Sequence, residues 1–324
     1  MSQINATKNW QILKTLQATE LPEVKKDVAV LTNNRFQTPK TSLVIFHFQP
    51  HFFQSPAVRL KACTMQRETV EQKDVYIIDD FFLEEESQEL REVTARAAFS
   101  RSIYADHESN EKGEHPSRSM DNKERWQFFA NPPQAIKEVY KWLSFIAHEL
   151  KADITTLPWD LCDANICAPA FATNRIEYRS PQSSTLGRHK DYNTEKGVAF
   201  GIPMLYADTP TFYPSQFVNG EAQKPWLVSL MVYTADETFK PEFGMGTAFF
   251  KDNGETALQS ECRNMRMVLF EGDIIHSIEE SKISPDLNTW RVSYVYKLCI
   301  NPRELHQDLK SEFYKLMKQY NEQL

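Results

Sequence analysis

No long apolar run and no cysteine pair at metal-binding spacing occurs in this sequence, and each absence excludes something. Nothing approaches the ~20 consecutive apolar residues of a membrane-spanning helix. The opening MSQINATKNWQILKTLQ lacks the unbroken apolar core of a secretory signal. Cysteine is scarce: five residues in 324, at positions 63, 162, 167, 262 and 299, an odd number without a CxxC. Cys162 and Cys167 find no second Cys/His pair that would complete a zinc ligand set. The expectation is a soluble, cytoplasmic protein with reduced, partly buried thiols. A basic surplus is also missing. With 37 Lys+Arg against 44 Asp+Glu the net charge is −7, which argues against a nucleic-acid or anionic-membrane surface as the general partner. No internal repeat and no low-complexity tract stands out, and length alone does not choose between one domain and two.

What is present reads as an α+β chain. A short helix is expected at 8–18. TSLVIFHF (41–48) is strand-like, with PHFFQSPAVRLKAC (50–63) as its expected partner strand. His47 and His51 stand four apart, but Pro50 between them and the β-forming neighbours speak for strand and turn histidines rather than helical metal ligands. DVYIIDDFF (74–82) reads as a strand and LEEESQELREVTARAAF as an acid-headed helix. Residues 100–128 are charged and read as a long loop holding His107 and His115. A further helix is expected from Asn131 as N-cap with Pro132 at its first position. From about 160 to 300 short β-rich runs alternate with Pro, Gly, Asn and Asp, the pattern of a sandwich or jelly roll. The ending NPRELHQDLKSEFYKLMKQYNEQL carries Leu305, Leu309, Phe313, Leu316 and Tyr320 on one helical stripe, which either packs on the domain or pairs two chains.

The chemistry-bearing stretch is LGRHKDYN (186–193). On a strand, His189 and Asp191 project to one face. An imidazole and a carboxylate so placed need a third ligand from far along the chain. His276, in VLFEGDIIHSIEE after a Glu-Gly-Asp turn, is the outstanding candidate. Two imidazoles and one carboxylate on one face of an octahedral ion leave three positions open, the arrangement of non-haem Fe(II) oxygenases; zinc is compatible with the ligand types alone. Fifteen residues after His276, the strand WRVSYVYK puts Arg291, Ser293 and Val295 on one face. An arginine in an apolar strand needs an anion. No acid on that strand supplies one, so a ligand carboxylate gripped by the guanidinium fork, with Ser293 adding a hydroxyl, accounts for it.

These segments together resemble the 2-oxoglutarate- and Fe(II)-dependent oxygenases, in layout the prolyl-4-hydroxylase-like group. The resemblance rests on DVYIIDDFFLEEESQELRE, YRSPQSSTLGRHKDYN, SLMVYTADETFKPEFGMGTAFF, VLFEGDIIHSIEE and RVSYVYK in that order, and covers roughly two thirds of the chain. It implies a double-stranded β-helix (jelly roll) with supporting helices packed on one sheet, spanning 74–300. Residues 1–73 would be a partly ordered extension and 301–324 a C-terminal amphipathic helix, available for a homodimer. It implies that His189, Asp191 and His276 bind Fe(II), and that Arg291, helped by Ser293, holds the far carboxylate of 2-oxoglutarate. Tyr178, eleven residues before His189, would give the cosubstrate a phenol hydrogen bond. O2 is the second cosubstrate, and the group leaves room for ascorbate. The substrate would be a small molecule or a protein side chain.

Departures matter as well. Collagen-type prolyl hydroxylases use a lysine at a shorter distance from the distal histidine. The arginine here, and the longer SIEESKISPDLNT connection, put a proline substrate in doubt. RVSYVYK also resembles the paired arginines of AlkB-type nucleic-acid demethylases, with Lys297 in second place; that alternative predicts a basic groove around Arg175, Arg179 and Arg188. Asp191 is a true carboxylate, unlike the small residue of the superfamily's halogenases. A jelly-roll scaffold without turnover and a zinc hydrolase are the remaining rivals. Substrate choice is expected in the loops 100–128 and 206–226, where Tyr206, Phe212, Tyr213, Phe217 and Trp226 either form an aromatic lip or simply cover the sheet.

Overall fold

The computed structural model describes residues 56–101, 117–120, 128, 131–156, 171–176, 188–192 and 218–324, less Glu280, Pro285, Leu305 and Gln323. Backbone alone is described at 10–14, 27–32, 42–48, 100–101, 117–119, 155–156 and 171–176. The first half of the chain contributes β1 (Trp10–Lys14), β2 (Asp27–Thr32), β3 (Ser42–Phe48), helix α1 (Ala57–Ala62), β4 (Thr64–Val70), β5 (Lys73–Asp79) and α2 (Glu84–Arg96). There follow β6 (Phe99–Arg101), β7 (Ser117–Met120), α3 (Gln134–Glu149), β8 (Ala152–Thr156) and β9 (Phe171–Ile176). The second half adds β10 (Trp226–Ala235), β11 (Thr247–Phe250), β12 (Thr256–Ser260), β13 (Met267–Glu271), β14 (Ile275–Ile278), β15 (Arg291–Pro302) and α4 (Leu309–Tyr320).

The strands form two antiparallel sheets. The larger runs β1-β2-β3-β8-β15-β10-β13-β5-β4, with β9 also on β15 and β7 and β6 beyond it; the smaller is β12-β11-β14. Strand β15 is the hub. One edge pairs with β10 from Arg291↔Ala235 to Ile300↔Trp226, and the other pairs first with β9 and then with β8. Its sequence alternates, yet neither face meets water. Val292, Tyr294, Tyr296, Leu298 and Ile300 enter a core shared with the helices, while Arg291, Ser293, Val295 and Lys297 point the other way and are also buried. A polar alternation on a doubly covered strand marks an internal site rather than a solvent face.

The helices cover the outer face of the large sheet. Helix α4 begins at an Asp308 cap, whose carboxylate accepts the Ser311 amide at 3.0 Å. It then buries Leu309, Phe313, Leu316 and Met317. Phe313 is the keystone: its ring meets those of Tyr76 on β5, Trp142 on α3 and Trp226 on β10 with centroids at 5.1, 6.4 and 5.2 Å. The C-terminal stripe therefore packs on its own domain. Between the two sheets lies a second apolar core, with Ile77, Met231, Tyr233, Val268, Phe270 and Val295 from the large sheet facing Phe249 and Leu258 from the small one.

Several local expectations are corrected. Within the segment 8–18, residues 10–14 form strand β1 where a helix was expected, and the described part of 50–63 does not pair with β3. That stretch instead contains α1 after Pro56, and β3 pairs with β2 and β8. AVRLKA is made of good helix formers, and the aromatic residues before it misled the strand reading. The supposed loop 100–128 carries β7 and the end of β6. Helix α3 starts two positions later than expected, with Pro133 at its cap. Trp226 is buried in the helix-side core and so belongs to no aromatic lip; Tyr206, Phe212, Tyr213 and Phe217 lie outside the described residues. Cys63, Cys262 and Cys299 are buried. Among the described residues no helix is long and apolar enough to cross a membrane.

Candidate metal centre and anion pocket

His276 occupies the second position of β14, an edge strand of the small sheet whose other neighbour β11 sets Phe249 opposite it. The free edge receives residues 188–192 as a strap. His189 and His276 exchange both backbone hydrogen bonds, at 3.0 and 2.9 Å, and the Tyr192 amide donates to the Gly272 carbonyl at 2.9 Å. The strap is thus a single β-bridge followed by a bend, rather than a continuous strand. Gly272 is required there by contact: a Cβ on it would overlap the Tyr192 ring. The Tyr192 hydroxyl reaches on to the Leu298 carbonyl at 3.1 Å, so the strap is tied to β15 as well.

This arrangement brings the three expected ligands together. Candidate ligand atoms of His189, Asp191 and His276 all lie within 4.8 Å of one another. His189 Nε2 stands 3.7 Å from Asp191 Oδ1, and His276 Nε2 stands 3.8 Å from Asp191 Oδ2. Asp191 and His276 are buried; the His189 side chain is 43% exposed and forms the open side. The ring nitrogen Nδ1 of His276 is 2.9 Å from the Ile274 carbonyl. A carbonyl can only accept, so Nδ1 carries the hydrogen and Nε2 keeps its lone pair for a metal. Burial, then the neighbouring His189, pushes the His276 pKa down to about 4, so the ring is neutral. Burial alone would raise the Asp191 carboxyl. The Lys297 ammonium, with His276 and His189, outweighs it and holds the group well below the usual carboxylate range.

Two further residues grip Asp191. Ser229 donates its hydroxyl to Oδ2 at 2.5 Å, and Lys297 Nζ lies 2.8 Å from Oδ1. They are register partners on β10 and β15. Sequence reasoning missed both as partners of Asp191. The available signal was parity: Lys297 shares the face of Arg291, Ser293 and Val295, but alternation names a face and not the residue met across it.

At the other end of that face, Arg291 is completely buried. Its Nη1 donates to Ser293 Oγ at 2.9 Å, and its guanidinium carbon sits 5.6 Å from the centre of the Tyr233 ring. Nε and Nη2 are buried without a hydrogen-bond partner among the described residues. Native interiors seldom leave such donors orphaned, least of all on a cation. Glu279 is electrostatically coupled to Arg291, but its carboxylate bonds the Gly246 backbone. The two free N–H groups and the Ser293 hydroxyl make a donor set suited to a ligand carboxylate. Tyr178 and Arg179 lie outside the described residues, as does the Arg175 side chain. Arg188 stacks over Phe250 at 3.8 Å and donates to the Gly254 carbonyl at 2.7 Å, so its guanidinium is already engaged within the protein. Lys190 faces Asp252 at 3.6 Å.

No protein-family model matches the sequence, and no curated protein matches it. Solved structures do show likenesses. A prolyl-4-hydroxylase from Pseudomonas putida is 12% identical over 76% of this chain and 99% of its own, with a TM-score of 0.32. A prolyl 4-hydroxylase from Phytophthora capsici is 14% identical over 76% of this chain and 68% of its own, with a TM-score of 0.34. Full-length Neurospora crassa T7H, solved with alpha-KG, is 11% identical over 74% of this chain and 78% of its own, at 0.28. Two of these neighbours are prolyl 4-hydroxylases and the third was solved with alpha-KG, but likenesses at such TM-scores carry no weight in assigning chemistry, which rests on the site itself.

Proposed function

We propose that this protein is an Fe(II)- and 2-oxoglutarate-dependent dioxygenase that hydroxylates a C–H bond of a small molecule or a protein side chain. The facing sheets are read as its double-stranded β-helix. One observation carries the proposal: a wholly buried arginine with two orphaned N–H donors opens on the same interior face as a compact His–Asp–His cluster. The cluster offers two imidazoles and one carboxylate, the donor set of a facial iron site, and the orphaned guanidinium fits the far carboxylate of a diacid. Bound there, iron, O2 and 2-oxoglutarate would supply the oxidising chemistry, in which one oxygen atom enters the substrate C–H bond and the other enters succinate as CO2 is lost. The chain's own part is geometry. Arg291 and Ser293 fix the diacid's distal end. The Ile274 carbonyl sets the His276 tautomer, Ser229 and Lys297 orient Asp191, and Met231, Phe249, Phe270 and Val295 keep the interior dry.

The test is an anaerobic titration of the metal-free protein with Fe(II) and 2-oxoglutarate, watching for a visible metal-to-ligand charge-transfer band. The band is expected in the wild type, lost in His276→Ala and at least tenfold harder to saturate with 2-oxoglutarate in Arg291→Ala. Folded wild-type protein that shows no band at saturating ligands overturns the assignment and moves the scaffold and zinc alternatives forward.

A further inference from the structure

The strap is gripped from the outer side of the small sheet as well as along its backbone. His189 and Asp191 turn toward the cluster, while the two residues flanking His189 both meet the β11–β12 hairpin. The small sheet runs β12-β11-β14, and the strap lies on the free edge of β14. To reach Phe250 on β11, the Arg188 side chain therefore crosses β14. Its guanidinium carbon sits 3.8 Å from the centre of the buried Phe250 ring, and Nη1 donates to the Gly254 carbonyl at 2.7 Å. Gly254 has φ +88°, and a Cβ on it would come within 3.2 Å of Nη1, so the hairpin turn is closed up against the guanidinium. That turn is itself braced. The Gly254 amide donates to the Lys251 carbonyl and the Lys251 amide to the Glu255 carbonyl, both at 2.9 Å, and the Asp252 amide donates to Glu71 Oε2 at 2.9 Å. Lys190 adds a 3.6 Å ion pair to exposed Asp252, which contributes little.

The same hairpin already serves the other histidine. Phe249 stands opposite His276 in the β11–β14 pairing, with its ring 6.3 Å from the imidazole. Two consecutive residues of β11 thus address the two candidate histidine ligands, Phe249 from the inner face and Phe250, beneath Arg188, from the outer one. Resting on the reading of His189 as a metal ligand, we propose that Arg188 is a positioning residue: it staples the strap across β14 to the β11–β12 hairpin and so keeps His189 at the cluster. Peeling the strap from β14 then costs the stack on Phe250 and the Gly254 hydrogen bond along with the backbone bonds. The role has a sign opposite to that of plain charge. A cation near a site for a divalent ion repels that ion, so removing it on electrostatic grounds tightens metal binding, whereas removing a staple loosens it.

The full-length protein is titrated with Mn(II), a redox-silent probe whose free form is counted by electron paramagnetic resonance, and the bound ion is examined for spin-echo modulation by imidazole nitrogen. The wild type, Arg188→Gln, Phe250→Leu and the double variant are compared after each is shown to be folded. Expected is Mn(II) binding about fivefold or more weaker in each single variant, with weaker imidazole modulation of the ion that does bind. The double variant should lose little more than either single one, because both changes break one contact. Arg188→Gln alters an exposed side chain and leaves both cores intact, so it decides alone if Phe250→Leu does not fold. Mn(II) binding in Arg188→Gln that equals or exceeds the wild type overturns the staple while the oxygenase reading stands. Fully additive losses in the double variant overturn it as well, since the two residues then act separately. Folded wild type that binds no Mn(II) removes the metal site itself, and the staple and the oxygenase reading fall together.

Discussion

Gly272 shows how closely single residues are held to the chemistry of this protein. It has no functional group, yet the ring of Tyr192 lies where its side chain would begin, and Tyr192 follows the candidate ligand Asp191 in the chain. Gly272→Ala is expected to push the strap off β14. Mn(II) affinity should fall more than tenfold and stability by about 1–3 kcal/mol, the usual cost of overpacking. Metal titration and urea unfolding measure the two, and unchanged metal affinity would show that the strap tolerates the shift. At this scale the sequence was largely readable. His189, Asp191, His276, Arg291 and Ser293 are types whose chemistry shows in their spacing along strands, and the structure buries the last four while His189 stands at the open side of the cluster. Ser229 and Lys297 were not legible, because their meaning comes from a carboxylate 38 and 106 positions away. No local pattern encodes such a meeting.

Among the elements, helix α4 does the most to join layers. Phe313 alone touches rings on β5, α3 and β10, and its helix is further tied by Lys310 to Glu271 at the end of β13, 2.5 Å away. Phe313→Ala should cost about 3–5 kcal/mol, as buried aromatic truncations do. Denaturant unfolding reads this directly, and a loss under 1 kcal/mol would show that the ring contacts are dispensable. The stripe of α4 was visible as a 3.6-residue period. Its destination was not, because the same stripe serves equally well between two chains. Short segments misled more. AVRLKA and the residues around Trp10 are too brief for periodicity to overrule their neighbours, and the first became helix where a strand was expected, the second strand where a helix was.

At the scale of the whole molecule, Glu271 is a group that makes stability depend on pH. It is completely buried; its Oε1 meets Lys310 and accepts the Asp74 amide at 2.7 Å, while Oε2 has no hydrogen-bond partner among the described residues. Burial, opposed by Lys310, raises its pKa from 4.5 to about 7. A raised carboxyl binds protons more tightly when folded. Its contribution is therefore fully present below pH 4.5 and is lost as pH rises through about 7. Glu271→Gln, which keeps an oxygen for Lys310 and the Asp74 amide, should flatten that fall. The difference from wild type is expected to change by at most about 1.4 kcal/mol per pH unit between those limits. Unfolding curves from pH 4.5 to 8 settle it, and parallel profiles for the two proteins would refute the assignment.

The two ends of the site are fastened very differently. Arg291 sits on a strand bonded along both edges and packed on both faces, whereas residues 188–192 hang on the sheet by three backbone hydrogen bonds. The proposed anion grip would let go only when the large sheet itself opens, but the proposed metal grip can part from β14 by losing a handful of contacts. An anvil and a latch have been built into one cavity. If the cavity needs a door, the strap that carries His189 is the side on which it is hinged.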